Sequence, residues 1–384
     1  TLTVLLSYGV ASEFRAEVIP LMLFGMTVAV AYQQDLAMLI SAAVALVVVF
    51  LAGFGITSFV VLTATVSVAV LLLGRIRSRR KLIYVGLTAG IASALTSLGV
   101  NTLAGPTPTE PILVASLWCG LWGLVAAFLM TGLLPFIENL FGVQTDLSLI
   151  ELGDVAHPLL QELVRRAPGT YNHSIMVASI AEAAAEAIGA HGLLVRVGAY
   201  FHDIGKMLKP GYFVENQGQN GNRHDDLVPA MSTLIIIAHV KDGADLARQH
   251  HLPQQIIDFI QQHHGTTLVE YFYGRASAEQ RATDPDRPVD ESSFRYPGPK
   301  PQTKEAAVLM LSDAVESASR SLVEPAPARI ESLVHDIAMK RLLDGQFNAC
   351  GLTLHELHTI EESLIKSLIA VYHGRVKYPG QRTA

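Results

Sequence analysis

Two cysteines in 384 residues are too few for a disulfide framework. Cys119 lies in an apolar run and Cys350 in the polar half, and no CxxC pair occurs, which fits a reducing compartment for the polar half. Charge is also scarce, with Asp, Glu, Lys and Arg making up only 16% of the chain. The formal net charge of −6 argues against general nucleic-acid binding. There is no Walker loop and no Rossmann glycine pattern. Nor is there strand-like alternation of any length, so the polar half reads as all-α. The first residue is Thr1, inside an apolar run without the charged start or cleavage site of a signal peptide, so the natural protein is expected to extend further toward its N-terminus.

What is present in quantity is hydrophobicity: half of all residues, with a mean hydropathy of +0.36. It is unevenly spread. Residues 1–137 are apolar and sparsely charged, whereas 138–384 carry most of the charge and all 14 histidines. A bilayer crossing takes about 20 apolar residues. That criterion suggests spans near 18–32, 35–54, 57–74, 82–104 and 111–136, with 1–10 as the end of another and 18–32 on the short side. The basic run Arg75-Ile-Arg-Ser-Arg-Arg-Lys81 is cytoplasmic by the positive-inside rule. Counting onward puts the Pro-rich 105–111 outside and the polar half in the cytoplasm, in a multi-pass protein of the cell membrane. The spans hold almost no charge, which favours an anchor or signal-passing bundle over a transport pathway. Gly86, Gly90 and Ala94, four apart, would let two helices approach closely.

The connector 138–168 contains His157-Pro158, read as a turn histidine, and an amphipathic helix stopped at Pro168-Gly169. The domain 169–375 follows, then a tail, 376–384. Its hub is Gly198-Ala-Tyr-Phe-His-Asp-Ile-Gly-Lys206, where His202 and Asp203 end an apolar helix over 193–202. Gly205 is expected to permit a tight turn, and Lys206 to sit near any anion bound there. His173 is expected in the first turn of a helix over 175–188, His239 ends an apolar run, His263 and His264 close another, and Asp313 lies inside an apolar helix. A carboxylate so placed must be paired or coordinated. Successive helical residues diverge by about 100°, so His263 and His264 share a site only off a helix end. His224-Asp225, in a polar loop, reads as a helix cap, and His250 and His251 read as solvated. Residues 276–303 read as a long mobile loop whose Tyr296 and Lys300 are candidate contacts for a base and a phosphate.

Seven His and Asp side chains exceed what one metal takes, so two divalent transition metals are expected, bridged by Asp203. Mixed nitrogen and carboxylate donors suit Fe, Mn or Zn rather than Ca or Mg. Two such ions can clamp a phosphate and activate a bridging water for in-line attack. By spacing alone this reading reaches a phosphoester and two metals and no further.

Gly169-Thr-Tyr-Asn-His173-Ser, His202-Asp-Ile-Gly-Lys206, Tyr212-Phe-Val-Glu-Asn-Gln217, His239-Val-Lys-Asp-Gly243, His263-His-Gly-Thr-Thr267 and Leu311-Ser-Asp-Ala-Val-Glu316 together resemble the HD-domain hydrolases, and more narrowly the seven-transmembrane-receptor HD family. The resemblance implies a helical membrane bundle followed by an all-helical HD domain. It implies a cyclic di-AMP phosphodiesterase yielding linear pApA through a metal-bridging hydroxide. It implies iron or manganese held by His173, His202, Asp203 and Asp313 on one side and by Asp203, His239, His263 and His264 on the other. The family's extracellular sensory domain is not found in this sequence, and a homodimer is left open. Other readings are an HD phosphohydrolase of an alarmone or another nucleotide, a nucleotide-binding receptor without turnover and, least favoured, a di-iron oxygenase.

Overall fold

The computed structural model describes residues 16–105, 110–217, 222–284, 287–322 and 324–373. The expected span at 1–10 and the tail at 376–384 lie outside these residues, as does most of the Pro-rich 105–111. The chain divides into two compact units, Thr1–Ser148 and Leu149–Ala384. Among the described residues there is no β-sheet, only one antiparallel bridge between Leu268 and Arg295.

The first unit packs α1 (Val18–Ala31), α2 (Gln34–Leu51), α3 (Ile56–Leu73), α4 (Arg79–Ala104) and α5 (Glu110–Phe141). Helices α2 to α5 are long and apolar enough to cross a membrane; α1, with 14 residues, is apolar but shorter. Helix α5 runs on to Phe141, past the expected exit at 137, so the first part of 138–168 is helix rather than linker. Leu39, Phe50, Leu103 and Phe136 are left exposed, as lipid-facing side chains should be. Some polar groups find partners within the bundle: Gln34 Nε2 donates to the Val70 carbonyl at 2.9 Å, and Ser116 Oγ lies 3.1 Å from Ser97 Oγ, whereas the buried hydroxyls of Ser41, Thr63 and Ser93 have none. Without water nearby, each unpaired group is costly. Gly86 and Gly90 do let helices approach closely: a Cβ on Gly90 would meet the Gly120 carbonyl oxygen at 2.4 Å, across the α4–α5 contact.

The boundary between the units falls within α6 (Asp146–Leu152). The second unit continues with α7 (Pro158–Arg166), α8 (Pro168–Ala187), α9 (Gly192–Phe201) and three short 3₁₀ turns, Ile204–Leu208, Pro210–Tyr212 and Val214–Asn216. Then come α10 (Pro229–Gln249), α11 (Gln254–Gln262), α12 (Glu270–Thr283), a 3₁₀ turn at Glu291–Phe294, α13 (Lys304–Ser319), α14 (Pro327–Leu343) and α15 (Leu354–His373). His157 serves as the N-cap of α7, its Nδ1 accepting from the Leu159 amide, in keeping with a turn role.

Two apolar cores support this unit. One gathers Val177, Ala181, Val195, Ala199, Phe259 and Leu309 with Leu364 and Leu368 of α15. The other gathers Leu159, Leu163, Val197, Phe201, Ile204, Ile256 and Ile260. Helices α9 and α11 feed side chains to both, so their C-terminal ends, where the histidines stand, are held from two sides. A fully buried side chain such as Phe201 contributes about 1.5–3 kcal/mol.

Three local expectations need correction. Helix α8 begins at Pro168, whose missing amide costs nothing at a first helical position, so His173 lies beyond the first turn. His224 does not cap α10, whose N-cap is Val228; it is buried, with Nε2 2.8 Å from the Tyr212 carbonyl oxygen. Part of the expected loop at 276–303 is helix, because α12 continues through its Ala, Glu, Gln and Arg residues to Thr283.

Candidate metal centre

Helix α9 ends at Phe201, His202 is its C-cap, and Asp203 precedes the first 3₁₀ turn, so the pair sits where the chain changes direction. Gly205 has no left-handed φ; its role is room. A Cβ there would lie 2.0 Å from the His239 carbonyl oxygen, so only glycine lets this turn press against α10. Helix α11 ends at Gln262, and His263 and His264 stand on the turn beyond, closed by Gly265 at φ +53°. Both therefore leave the helix end, as their adjacency requires.

The seven side chains converge. Asp203, His239, His263 and His264 offer donor atoms that all lie within 4.8 Å of one another, and so do His173, His202, Asp203 and Asp313. Asp203 is common to both groups and divides its oxygens between them. Oδ1 is 3.2 Å from His239 Nε2 and 3.6 Å from His263 Nε2; Oδ2 is 3.2 Å from His202 Nε2 and 3.6 Å from His173 Nε2. Asp313 Oδ1 is 3.0 Å from His173 Nε2, and its Oδ2 is 3.8 Å from His264 Nδ1. All are buried except His264, which is partly exposed and stacks on Tyr296 at 4.2 Å.

The outer ring nitrogens are committed elsewhere. His202, His239 and His263 place Nδ1 2.7, 2.6 and 2.8 Å from the carbonyl oxygens of Ala199, Ile236 and Ile260. Donation there turns each Nε2 inward, where it offers a lone pair whenever the ring is neutral. His173 Nδ1 instead reaches Glu316 Oε2 at 2.6 Å. The inner atoms are left wanting a cation. His239 and His263 face each other Nε2 to Nε2 at 3.3 Å, and buried His202 Nε2 and Asp203 Oδ1 have no hydrogen-bond partner. Lone pairs and carboxylate oxygens gathered this way fit divalent metal ions.

Charge within the centre is uneven. Burial opposes ionisation of Asp203, but Lys206 and His202 outweigh it and hold the carboxyl well below the usual range. Asp313 is held low against the same burial by His173 and His202. Burial likewise opposes protonation of His202, yet Asp203 and Asp313 push it up to about 10. His173 is raised despite burial by Asp313 and Glu316. On the opposite side burial pushes His263 and His264 down, His264 well below the usual imidazole range. Loading the His173–His202 side with a cation thus displaces protons, whereas His263 and His264 are already neutral donors.

Lys206 is no solvated helix-end charge. Its Nζ lies 2.6 Å from Asp203 Oδ2 and 3.0 Å from Glu215 Oε1, and these carboxylates keep the ammonium well above the usual range against burial. Glu215 also accepts from Thr170 Oγ1 at 3.1 Å, and Asn216 Oδ1 accepts the Gly169 and Thr170 amides, which ties this 3₁₀ segment to the start of α8. Lys300 points elsewhere: its Nζ donates to the Gly345 carbonyl at 2.9 Å, a tie between loops rather than a contact with the cluster. Glu215 and Glu316 went unassigned in the sequence. Glu316 had a signal, since it stands three residues after Asp313 and therefore on the same helical face.

A family model described as "7TM receptor with intracellular HD hydrolase" matches residues 1–145, and one for the HD domain matches 170–318. The crystal structure of the Listeria monocytogenes phosphodiesterase PgpH HD domain is 51% identical and covers 56% of this chain and all of its own, with a TM-score of 0.53. The chain belongs to the 7TM-receptor HD hydrolase family. A second structure of that domain, in complex with cyclic di-AMP, is 52% identical, with a TM-score of 0.54 over 57% of this chain. The cyclic-di-AMP phosphodiesterase PgpH of L. monocytogenes is 44% identical over 330 residues, and that of Bacillus subtilis is 43% identical over 314. These matches take in 85% and 81% of this chain but 45% and 43% of the relatives, so the chain spans under half the length of the curated relatives it matches.

Proposed function

We propose that this family member is a membrane-anchored phosphodiesterase that hydrolyses cyclic di-AMP to linear pApA, with its HD unit in the cytoplasm. The observation that carries this is the pair of four-residue donor groups sharing buried Asp203. The identity shared with PgpH supplies the substrate. The cations of Arg75 and Arg77 between α3 and α4, with Arg79, Arg80 and Lys81 in the first turn of α4, support the orientation.

His173, His202, Asp203 and Asp313 would hold one ion, and Asp203, His239, His263 and His264 the other. Iron or manganese suits these donors. When bound, such ions supply Lewis acidity toward a phosphate oxygen and a nucleophilic water. The protein's own part is positional. Carbonyls of Ala199, Ile236 and Ile260 fix three imidazoles, Lys206 holds Asp203 ionised, and Tyr296 packs on the half-open side at His264. Lys206 is within reach of an anion drawn to this centre. A cavity of about 370 Å³, lined by His173 and Lys206 among others, opens beside it.

The full chain, purified in detergent, should carry two transition metals by elemental analysis and convert cyclic di-AMP to pApA with manganese present. A full metal complement with cyclic di-AMP intact would overturn the substrate. A panel of alarmones and other cyclic dinucleotides run in parallel would then identify the alternative.

A further inference from the structure

The cavity beside the metal centre has a far wall that the proposed reaction has not used. Besides His173, Lys206, Val214 and Glu215, it is lined by Ser317, Arg320 and Ser321, which stand at the end of α13. Arg320 is the one guanidinium among these lining residues, and its side chain is 42% exposed. It rests on Glu316, with Nε 2.8 Å from Oε1 and a second bond from a terminal nitrogen to the same oxygen. Glu316 is not spent on Arg320 alone. Its other oxygen, Oε2, is 2.6 Å from His173 Nδ1, so this buried carboxylate would keep a partner if Arg320 turned away.

A cyclic dinucleotide carries two phosphodiesters, and hydrolysis to a linear product cuts one of them. The uncut diester remains an anion that must be placed near the same cavity. Lys206 is already held between two carboxylates, Asp203 and Glu215. Arg320, partly exposed and joined to a single carboxylate with a second partner, is the cation free to take it. A planar guanidinium presents two parallel N–H donors to two oxygens of a phosphodiester, a fixed fork that a lysine ammonium lacks.

We infer that Arg320 binds the non-scissile phosphodiester of a cyclic dinucleotide, with Glu316 as the rest it leaves. Arg320 thereby separates substrates with two phosphodiesters from those with one. The inference rests on the phosphodiesterase reading above.

The test compares cyclic di-AMP with bis(p-nitrophenyl) phosphate, which has only the diester to be cut, using the full chain in detergent loaded with manganese. Arg320→Ala should raise KM for cyclic di-AMP at least tenfold. Arg320→Lys, which keeps the charge but not the fork, should raise it less. Both variants should hold kcat/KM for bis(p-nitrophenyl) phosphate within twofold of the parent, with unchanged metal content. An unchanged KM for cyclic di-AMP, or a parallel loss on both substrates, would overturn the role and mark Arg320 as a structural partner of Glu316. Parent protein that cleaves bis(p-nitrophenyl) phosphate but not cyclic di-AMP would instead overturn the underlying reading, and this inference with it.

Discussion

Gly90 in the membrane unit and Gly205 in the HD unit occupy the same kind of position. A Cβ on the first would meet the Gly120 carbonyl oxygen at 2.4 Å, and on the second the His239 carbonyl oxygen at 2.0 Å. In both, a missing side chain lets backbones come together. The consequences differ. Around Gly90 the approach brings apolar helix faces into contact, and Ser97 and Ser116 nearby satisfy each other within the bundle. Around Gly205 it sets Asp203 against His239 and leaves donor atoms without partners. Both units leave buried polar atoms without a hydrogen-bond partner, but in the membrane unit these are separate hydroxyls, of Ser41, Thr63 and Ser93, whereas in the HD unit an imidazole nitrogen of His202 and a carboxylate oxygen of Asp203 lie side by side where cations would sit.

That contrast is most exposed at Asp203. Asp203→Ala should remove the oxygens shared by both donor groups and reduce turnover by at least about 10³-fold, on the scale seen when a central catalytic group is deleted. Elemental analysis should show metal loss. Substantial activity at full metal content would end the bridging role and blur the distinction between the units.

The two glycines come next. Gly205→Val should lower both the stability of the HD unit and its metal content, overpacking of this kind costing about 1–3 kcal/mol or more. Gly90→Val should cost a similar amount in the membrane unit while leaving metal content unchanged. Calorimetry paired with metal analysis checks both. Equal metal loss in the two variants would break the comparison.

A pH series gives a smaller effect. In metal-free protein the folded state raises His202 from its ordinary 6.5 to about 10. Its contribution to stability is therefore complete below about pH 6.5 and is lost as pH rises through about 10. The melting temperature of the metal-free HD unit should fall across that window, and metal loading should flatten the profile because the ions replace the proton. An identical slope with and without metal would remove His202 from the centre. The mildest expectation concerns Lys300. Lys300→Met deletes the bond to the Gly345 carbonyl and should cost about 1 kcal/mol. KM for cyclic di-AMP should not move; a large rise would restore Lys300 as a substrate contact.

The helical class and the apolar bundle were readable from local pattern alone, since a long uncharged apolar run has few ways to fold in lipid. The seven His and Asp residues were readable as a set because each stood in or at the end of an apolar helical run, where an unpartnered polar group is costly. What escaped were the roles that single loop residues owe to a distant partner. Lys300 read as a candidate phosphate contact, yet its ammonium meets the Gly345 carbonyl, and His224 read as a cap, yet it meets the Tyr212 carbonyl. Helix α12 was missed because its polar, mixed composition carries no apolar stripe to mark it.

By itself the sequence determined which side chains were available and where the helices before His202 and before His263 would end, because those follow from composition and neighbours a few residues apart. Only the tertiary structure decided which oxygen of Asp203 faces which imidazoles, that Glu316 backs His173, and that Arg320 faces the same cavity as Lys206. Those relations join residues far apart along the chain. They are set by the packing of α8, α9, α10, α11 and α13 against one another, and no short-range propensity encodes them.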